Sequence, residues 1–152
     1  MSETDEAPTP VGPTVSPTDL RDWVQFSSDA ATRTRVFATD NLAVDVWCLE
    51  PRQTTGVIVD EEADIAYTVL GGRSWFVTDQ GEIGLDPMGA LLVPAGVAHG
   101  IDNRGVDALI VLASQSPGGG QAGTPVSDAA AAIRDAHAPG AARRLLGRVL
   151  SG

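Results

Sequence analysis

The sequence predicts an all-β fold, and three observations predict it. From about residue 33 to 114 the chain is a series of short apolar runs: "TRVFAT", "LAVDVWCLE", "TGVIV", "IAYTVL", "SWFVT", "EIGL", "ALLVPA" and "ALIVLAS". Between them stand turn signals, "TDN", "EPRQ", "DEEAD", "GGR", "DQG", "DPMG" and "DNRG". The 152 residues also include 17 glycines and 10 prolines, a composition that favours turns over long helices. Closely spaced short strands with this punctuation indicate a sandwich or barrel of one domain.

Taken in order, residues 1–18 are rich in Pro, Thr, Ser and acids and are expected to be a disordered arm. "PTDLRDWVQF" is expected to begin a short helix or a strand, with Thr18 as cap and Leu20, Trp23 and Phe26 at helical spacing. Residues 19–115 form the expected barrel. In "LAVDVWCLE" the side chains alternate weakly, Val44, Val46 and Cys48 on one face and Asp45 on the other. Residues 116–126, within "SQSPGGGQAGTP", read as a linker. Residues 127–152 are helical in composition, with Ser127 as N-cap and a break at Pro139 and Gly140.

Charge and cysteine usage narrow the function. The net charge is −10, and all ten basic residues are arginine, which argues against nucleic acid and anionic membrane as partners. Cys48 is the only cysteine, so no intrachain disulfide forms, which fits the cytoplasm. The N-terminal residues are acidic and lack an apolar core segment, and no run approaches the roughly 18 apolar residues of a membrane helix.

The most informative stretch is "PAGVAHGIDN". Pro94, Gly96, His99 and Asn103 follow the spacing Pro-x-Gly-x-x-His-x-x-x-Asn, which resembles the second motif of the cupin superfamily. Upstream, "CLEPRQ" and "YTVLGGR" look like the family's segments before and after its first motif. The glycine that the family has six residues before the proline is displaced: Met88 stands there and Gly89 follows. The resemblance covers residues 34–114 and implies a jelly-roll (double-stranded β-helix) barrel, here with a short C-terminal helical extension.

Metal-binding cupins draw two histidines and a glutamate from the first motif and a histidine from the second. Counting back from Gly72 puts the family's glutamate at Ile65, or at Asp64 with a one-residue gap, and its two histidines at Ile58 and Asp60. Two of those side chains carry no donor atom, and a transition-metal site normally takes three or four protein ligands. The expectation is a barrel without metal or other cofactor.

Three roles are open to His99. It is a structural histidine bonded to Asp60 or Tyr67; or it forms a ligand-binding dyad with Asp60; or it works with Asp60 in metal-free acid–base catalysis. Asp60 and His99 are expected to face each other across the cup, and a carboxylate there would raise the His99 pKa unless burial outweighs it. Tyr67 shares the Ile65 face and should look inward. Trp47 and Trp75 are strand residues that either pack or line the cup. "DEEAD" is read as a solvated loop and Cys48 as a small buried hydrophobe.

The leading expectation is therefore a homodimeric cupin that binds a small apolar or aromatic molecule with Ile58, Asp60, Ile65, Tyr67 and His99. The alternatives are an isomerase, cyclase or dioxygenase centred on His99, and an adaptor acting through its C-terminal amphipathic helix. In that helix Leu145, Leu146, Val149 and Leu150 form one apolar stripe, and residues 141–150 are the candidate docking segment for a protein partner.

Overall fold

In the computed structural model, residues 14–118 are described. The N-terminal arm up to residue 13, the linker from residue 119 onward, the C-terminal helical tail and the 141–150 docking segment lie outside them. Eight strands follow one another: β1 Thr32–Ala38, β2 Ala43–Leu49, β3 Asp64–Gly71, β4 Ser74–Thr78, β5 Gly81–Leu85, β6 Ala90–Val93, β7 His99–Asp102 and β8 Leu109–Ser116. They form a five-stranded antiparallel sheet in the order β1-β2-β8-β3-β6 and a three-stranded antiparallel sheet in the order β5-β4-β7.

Seven of the eight apolar runs become strands. The exception is "TGVIV", which touches β7 through single bridges, Thr54 to Asp102 and Ile58 to His99. The strand that no apolar run announced is β7, which is short and contains Gly100. That glycine is a packing requirement: a Cβ there would stand 2.8 Å from the Gly56 carbonyl oxygen.

The two sheets close over a core of Trp47, Leu49, Ile65, Tyr67, Val69, Phe76, Ile101, Leu109 and Val111, with Leu91, Ile83, Leu85 and Ile58 packed around it. Register places these on common rows. Asp45 is opposite Ala113, which is opposite Tyr67, which is opposite Leu91; Trp47 is opposite Val111, which is opposite Val69. Residues directly opposite in an antiparallel pair share a face, so each row points into the barrel.

Strand β2 is buried on both faces, more than its weak alternation suggests. Asp45 does lie on the face opposite Val46 and Cys48, but that face is the interior one. Val46 and Cys48 look outward and are covered, with Val36, by Leu20, Trp23 and Val24. Those last residues belong to a short 3-10 helix, Leu20–Trp23, and its exit. Its cap is Asp19, whose carboxylate accepts from the Arg21 amide, rather than Thr18; the Thr18 hydroxyl instead accepts from the Trp23 indole N–H at 2.8 Å. Phe26 does not join the cluster and is 36% exposed.

The turn before β6 explains the displaced glycine. Met88 has φ +77, the left-handed conformation, and its amide donates to the Val69 carbonyl. The backbone thus keeps the geometry a glycine would adopt without strain while the sequence places a methionine there. Gly89 serves a different need: a Cβ there would meet the Asp86 carbonyl oxygen at 2.9 Å.

Met88 is 89% exposed, so shortening it removes little packing. Met88→Gly is expected to raise stability by about 0.5–1 kcal/mol, the relief of left-handed strain less the entropy of the freer unfolded chain. Urea denaturation checks this; an unchanged or lowered midpoint would show that the turn tolerates methionine without strain.

Candidate ligand site in the barrel

The site is built by β3, β7 and the segment beside β7. Tyr67 comes from β3 in the five-stranded sheet and His99 from β7 in the three-stranded sheet. The Tyr67 Oη and His99 Nε2 atoms are 2.6 Å apart, and their rings meet edge to face with centroids 5.3 Å apart. His99 Nδ1 is 3.0 Å from the Val97 carbonyl oxygen. A carbonyl only accepts, so Nδ1 carries the proton, and Nε2 accepts from the Tyr67 hydroxyl. Ile58 is paired with His99 across an antiparallel bridge and therefore shares its face. Ile65 is two residues from Tyr67 on the same face and is buried.

The structure thus brings together four of the five expected residues: Ile58, Ile65, Tyr67 and His99. Asp60 is placed differently. Its Oδ1 accepts from the Glu62 and Ala63 amides at 3.0 and 2.9 Å, holding the turn that leads into β3. The expected dyad of Asp60 and His99 is replaced by one of Tyr67 and His99, because the short loop 60–63 needs that carboxylate to satisfy its own N–H groups. Of the two partners considered for a structural His99, the tyrosine is the one used.

For the His99 pKa, burial is the larger influence, the case that the expectation had set apart. Burial pushes His99 below its ordinary value of 6.5, opposed only in part by the Val97 carbonyl. Burial also pushes the Tyr67 phenol above its ordinary range, tempered by Arg33 and reinforced by Asp45 and Asp60. Both groups are thereby held neutral. Transfer of the phenol proton to the imidazole would create two charges in a setting that disfavours each.

The rest of the second motif is mechanical. Gly96 has φ +84, and its amide donates to the Asp60 carbonyl at 2.7 Å. Asn103, 1% exposed, donates to the carbonyls of Leu49 and Asp107 at 3.0 and 2.9 Å and accepts from the Gly105 amide. Together these bonds fix where β7 begins and how the chain leaves it.

A second set of side chains at the barrel interior was not anticipated. On β1 and β2, Arg33 is opposite Trp47 and Arg35 is opposite Asp45. Arg35 reaches Asp45 through Nε at 2.8 Å and Nη2 at 3.1 Å, and Arg33 Nε lies 3.9 Å from the same carboxylate. The Arg33 guanidinium stacks on the Trp47 ring at 5.3 Å. Asp45 is 1% exposed. The sequence signal was present in the alternation of "TRTRV", which puts both arginines on one strand face, but it shows only once the register with β2 is known. Two shallow depressions of about 250 and 440 Å³ also exist, around residues 50–54 and around Thr54, Asp102 and Arg104. Neither includes Tyr67 or His99.

Among solved structures, the chain resembles the TT1209 protein of Thermus thermophilus at 26% identity and TM-score 0.65, over 68% of this chain and 98% of that one. It also resembles an uncharacterized conserved protein with a double-stranded β-helix domain from Klebsiella pneumoniae, at 22% identity and TM-score 0.66, over 71% and 95% of the two chains. An RmlC-like cupin protein from Desulfovibrio desulfuricans matches at 22% identity and TM-score 0.62, over 68% and 98%. The chain is a cupin by fold. No protein-family model and no curated protein matches it by sequence.

The motif count expected the ligand positions of metal-binding cupins at Ile58, Asp60, Ile65 and His99. The donor set does not fit a metal ion. His99 spends both ring nitrogens on Tyr67 and Val97, and among the described residues no three His, Cys, Asp or Glu side chains come together. Nor is any helix among the described residues long and apolar enough to cross a membrane.

Two outcomes follow from this geometry. Tyr67→Phe leaves His99 Nε2 as a buried acceptor without its donor and should cost about 1–3 kcal/mol, read from urea midpoints. A loss below a few tenths would mean that the hydrogen bond contributes little. His99 has a folded pKa below its unfolded one, so the unfolded chain takes the extra proton first. Stability from this group is complete above the unfolded value of 6.5 and is lost as pH falls through it toward the folded value. Between pH 7.5 and 5 the His99→Gln variant should show a shallower decline than the parent; equal slopes would refute the assignment.

Proposed function

We propose that this cupin binds a small, mostly apolar or aromatic molecule inside its barrel without a transition metal. The observation that carries this reading is the neutral Tyr67 and His99 pair set among Ile58 and Ile65, at the positions where metal-binding relatives of this fold place ligands. An interior of apolar walls with one polar handle is the usual make-up of a small-molecule site. The Tyr67 hydroxyl donates to His99 and keeps its lone pairs for a ligand donor. The opposed pKa directions weigh against the isomerase and cyclase alternatives at this pair, and the donor set weighs against the dioxygenase alternative.

The same reading assigns the protein to the cytoplasm, with Cys48 as a buried thiol. It also assigns it a homodimeric state. On the outer face of the five-stranded sheet, Leu70 and Leu92 are 39% and 64% exposed and would gain from a covering surface. The adaptor alternative rests on residues 141–150, outside the described residues, and no further observation favours it.

The test is a fragment titration of the full-length protein followed by NMR of the Ile methyl and aromatic signals. Saturable shifts at Ile58, Ile65, Tyr67 and His99 are expected, and Ile65→Trp should abolish them by filling the cup. Shifts confined to the depressions around residues 50–54 would overturn the reading. Elemental analysis of the purified protein should find transition metal well below one equivalent, whereas Ile58→His, Asp60→His and Ile65→Glu combined should acquire metal that the parent lacks. A stoichiometric metal in the parent that disappears in His99→Ala would overturn the metal-free assignment.

A further inference from the structure

The outer face of the five-stranded sheet is covered over only part of its width. Val36, Val46 and Cys48 lie under Leu20, Trp23 and Val24, and the same cluster takes in Ile110 and Leu112 on β8. Beyond β8 the face continues in two rows: Ser114 opposite Ala66 opposite Leu92, and Leu112 opposite Thr68 opposite Ala90. Ala66, Leu70, Ala90 and Leu92 are exposed there, Leu92 by 64%. Apart from Asp64 at the start of β3, no residue on this part of the face is charged. A continuous apolar surface of this kind marks a place of contact.

We infer that residues 141–150 of this chain dock on that open face, across β8, β3 and β6, and so compete with a second copy for it. The inference bears on the homodimeric reading above, because both occupants need the same surface. Residues 141–150 lie outside the described residues; their sequence and the point where the described chain ends carry the assignment. The segment reads "AARRLLGRVL", and as a helix it is about 15 Å long with Leu145, Leu146, Val149 and Leu150 in one stripe. Ten residues are too few for a helix to persist alone in water, so the stripe needs a surface. The open face spans two strand spacings from β8 to β6, about 10 Å, which suits one such helix.

The chain also ends in the right place. Gly118, the last described residue, donates its amide to the Asp40 carbonyl at 3.1 Å. That fixes the exit beside Ser116, which is opposite Asp64 at one end of the face. Residues 119–140 separate the exit from the segment, a span of about 33 Å if helical and about 75 Å if extended. Either is longer than the face is wide, and a tether of this kind gives the segment an effective concentration on the order of millimolar.

Charge favours the segment over a second copy. It carries Arg143, Arg144 and Arg148 and no acid. Asp64 and the exposed Glu61 and Glu62 stand at the end of the face, and no ion pair among the described residues engages them. A second copy would instead bring its own net charge of −10.

The experiment uses the full chain with Ser151→Cys carrying a nitroxide, Cys48 being buried. The Leu70 and Leu92 methyl signals should lose at least half their intensity. Leu146→Asp with Val149→Asp should restore them, and Leu92→Arg should restore Leu70. In a mixture of isotope-labelled chain without nitroxide and nitroxide-bearing chain without isotope, the signals should stay sharp; broadening there would make the occupant another copy's tail and overturn docking within one chain. Unbroadened signals in the nitroxide chain would overturn the inference and leave the homodimeric reading standing. By sedimentation, Leu146→Asp with Val149→Asp should tighten self-association at least tenfold. Equal self-association in parent and variant, both dimeric, would overturn the competition. Monomers in both, with the broadening present, would overturn the homodimeric reading and support docking of the tail.

Discussion

A phenol on one sheet and an imidazole on the other, 2.6 Å apart, join the two walls of this barrel. The surrounding structure is arranged so that this bond can form. His99 is presented at the first residue of β7 because the turn before it bends at Gly96 and is tied to the Asp60 carbonyl. Its ring is oriented by the Val97 carbonyl, and its backbone is paired on both sides, with Ile58 through the isolated bridge and with Thr78 on β4. Tyr67 is oriented by its row on the five-stranded sheet and by a tilted contact with Phe76 at 5.1 Å. Each polar atom of the pair has a partner, which is the condition for placing them where water does not reach.

The motif spacing of Pro94, Gly96, His99 and Asn103 thus has a structural purpose here that needs no ion. A turn, a sheet-to-sheet tether and a loop clasp occur in ten residues, and Asn103 closes the set by bonding to the end of β2 and to the loop before β8. In metal-binding relatives of the fold the histidine would add coordination to these duties. In this chain the neighbouring positions are isoleucine, and the same histidine is satisfied by a tyrosine. The bonds that build the turn, the tether and the clasp are all made within the protein.

The interior has two regions with different physics. Around Tyr67 and His99 burial holds titratable groups neutral, whereas around Arg33, Arg35 and Asp45 charge is retained by pairing and by stacking on Trp47. The two regions are separated by one small side chain, Ala113. Their adjacency sets an apolar region with a hydrogen-bonded pair beside a region of paired charges. The expectation of an apolar cup accounted for the first and missed the second.

The sequence by itself determined the fold, because strand length, turn chemistry and the second motif are all local properties. The runs "LAVDVWCLE" and "ALIVLAS" become the long central strands β2 and β8, and the Pro94-to-Asn103 spacing locates the turn and histidine. It also put Ile65 and Tyr67 on one face from a period of two. Partnership across the barrel was decided by tertiary structure alone. The sequence favoured Asp60 over Tyr67 as the partner of His99; the loop at 60–63 consumed the carboxylate, and sheet packing delivered the phenol. The arginines of "TRTRV" looked like ordinary polar strand residues until register set them opposite Trp47 and Asp45. Which face of a strand looks inward depends on what covers the other one, and here the covering residues are Leu20, Trp23 and Val24, more than ten positions earlier in the chain.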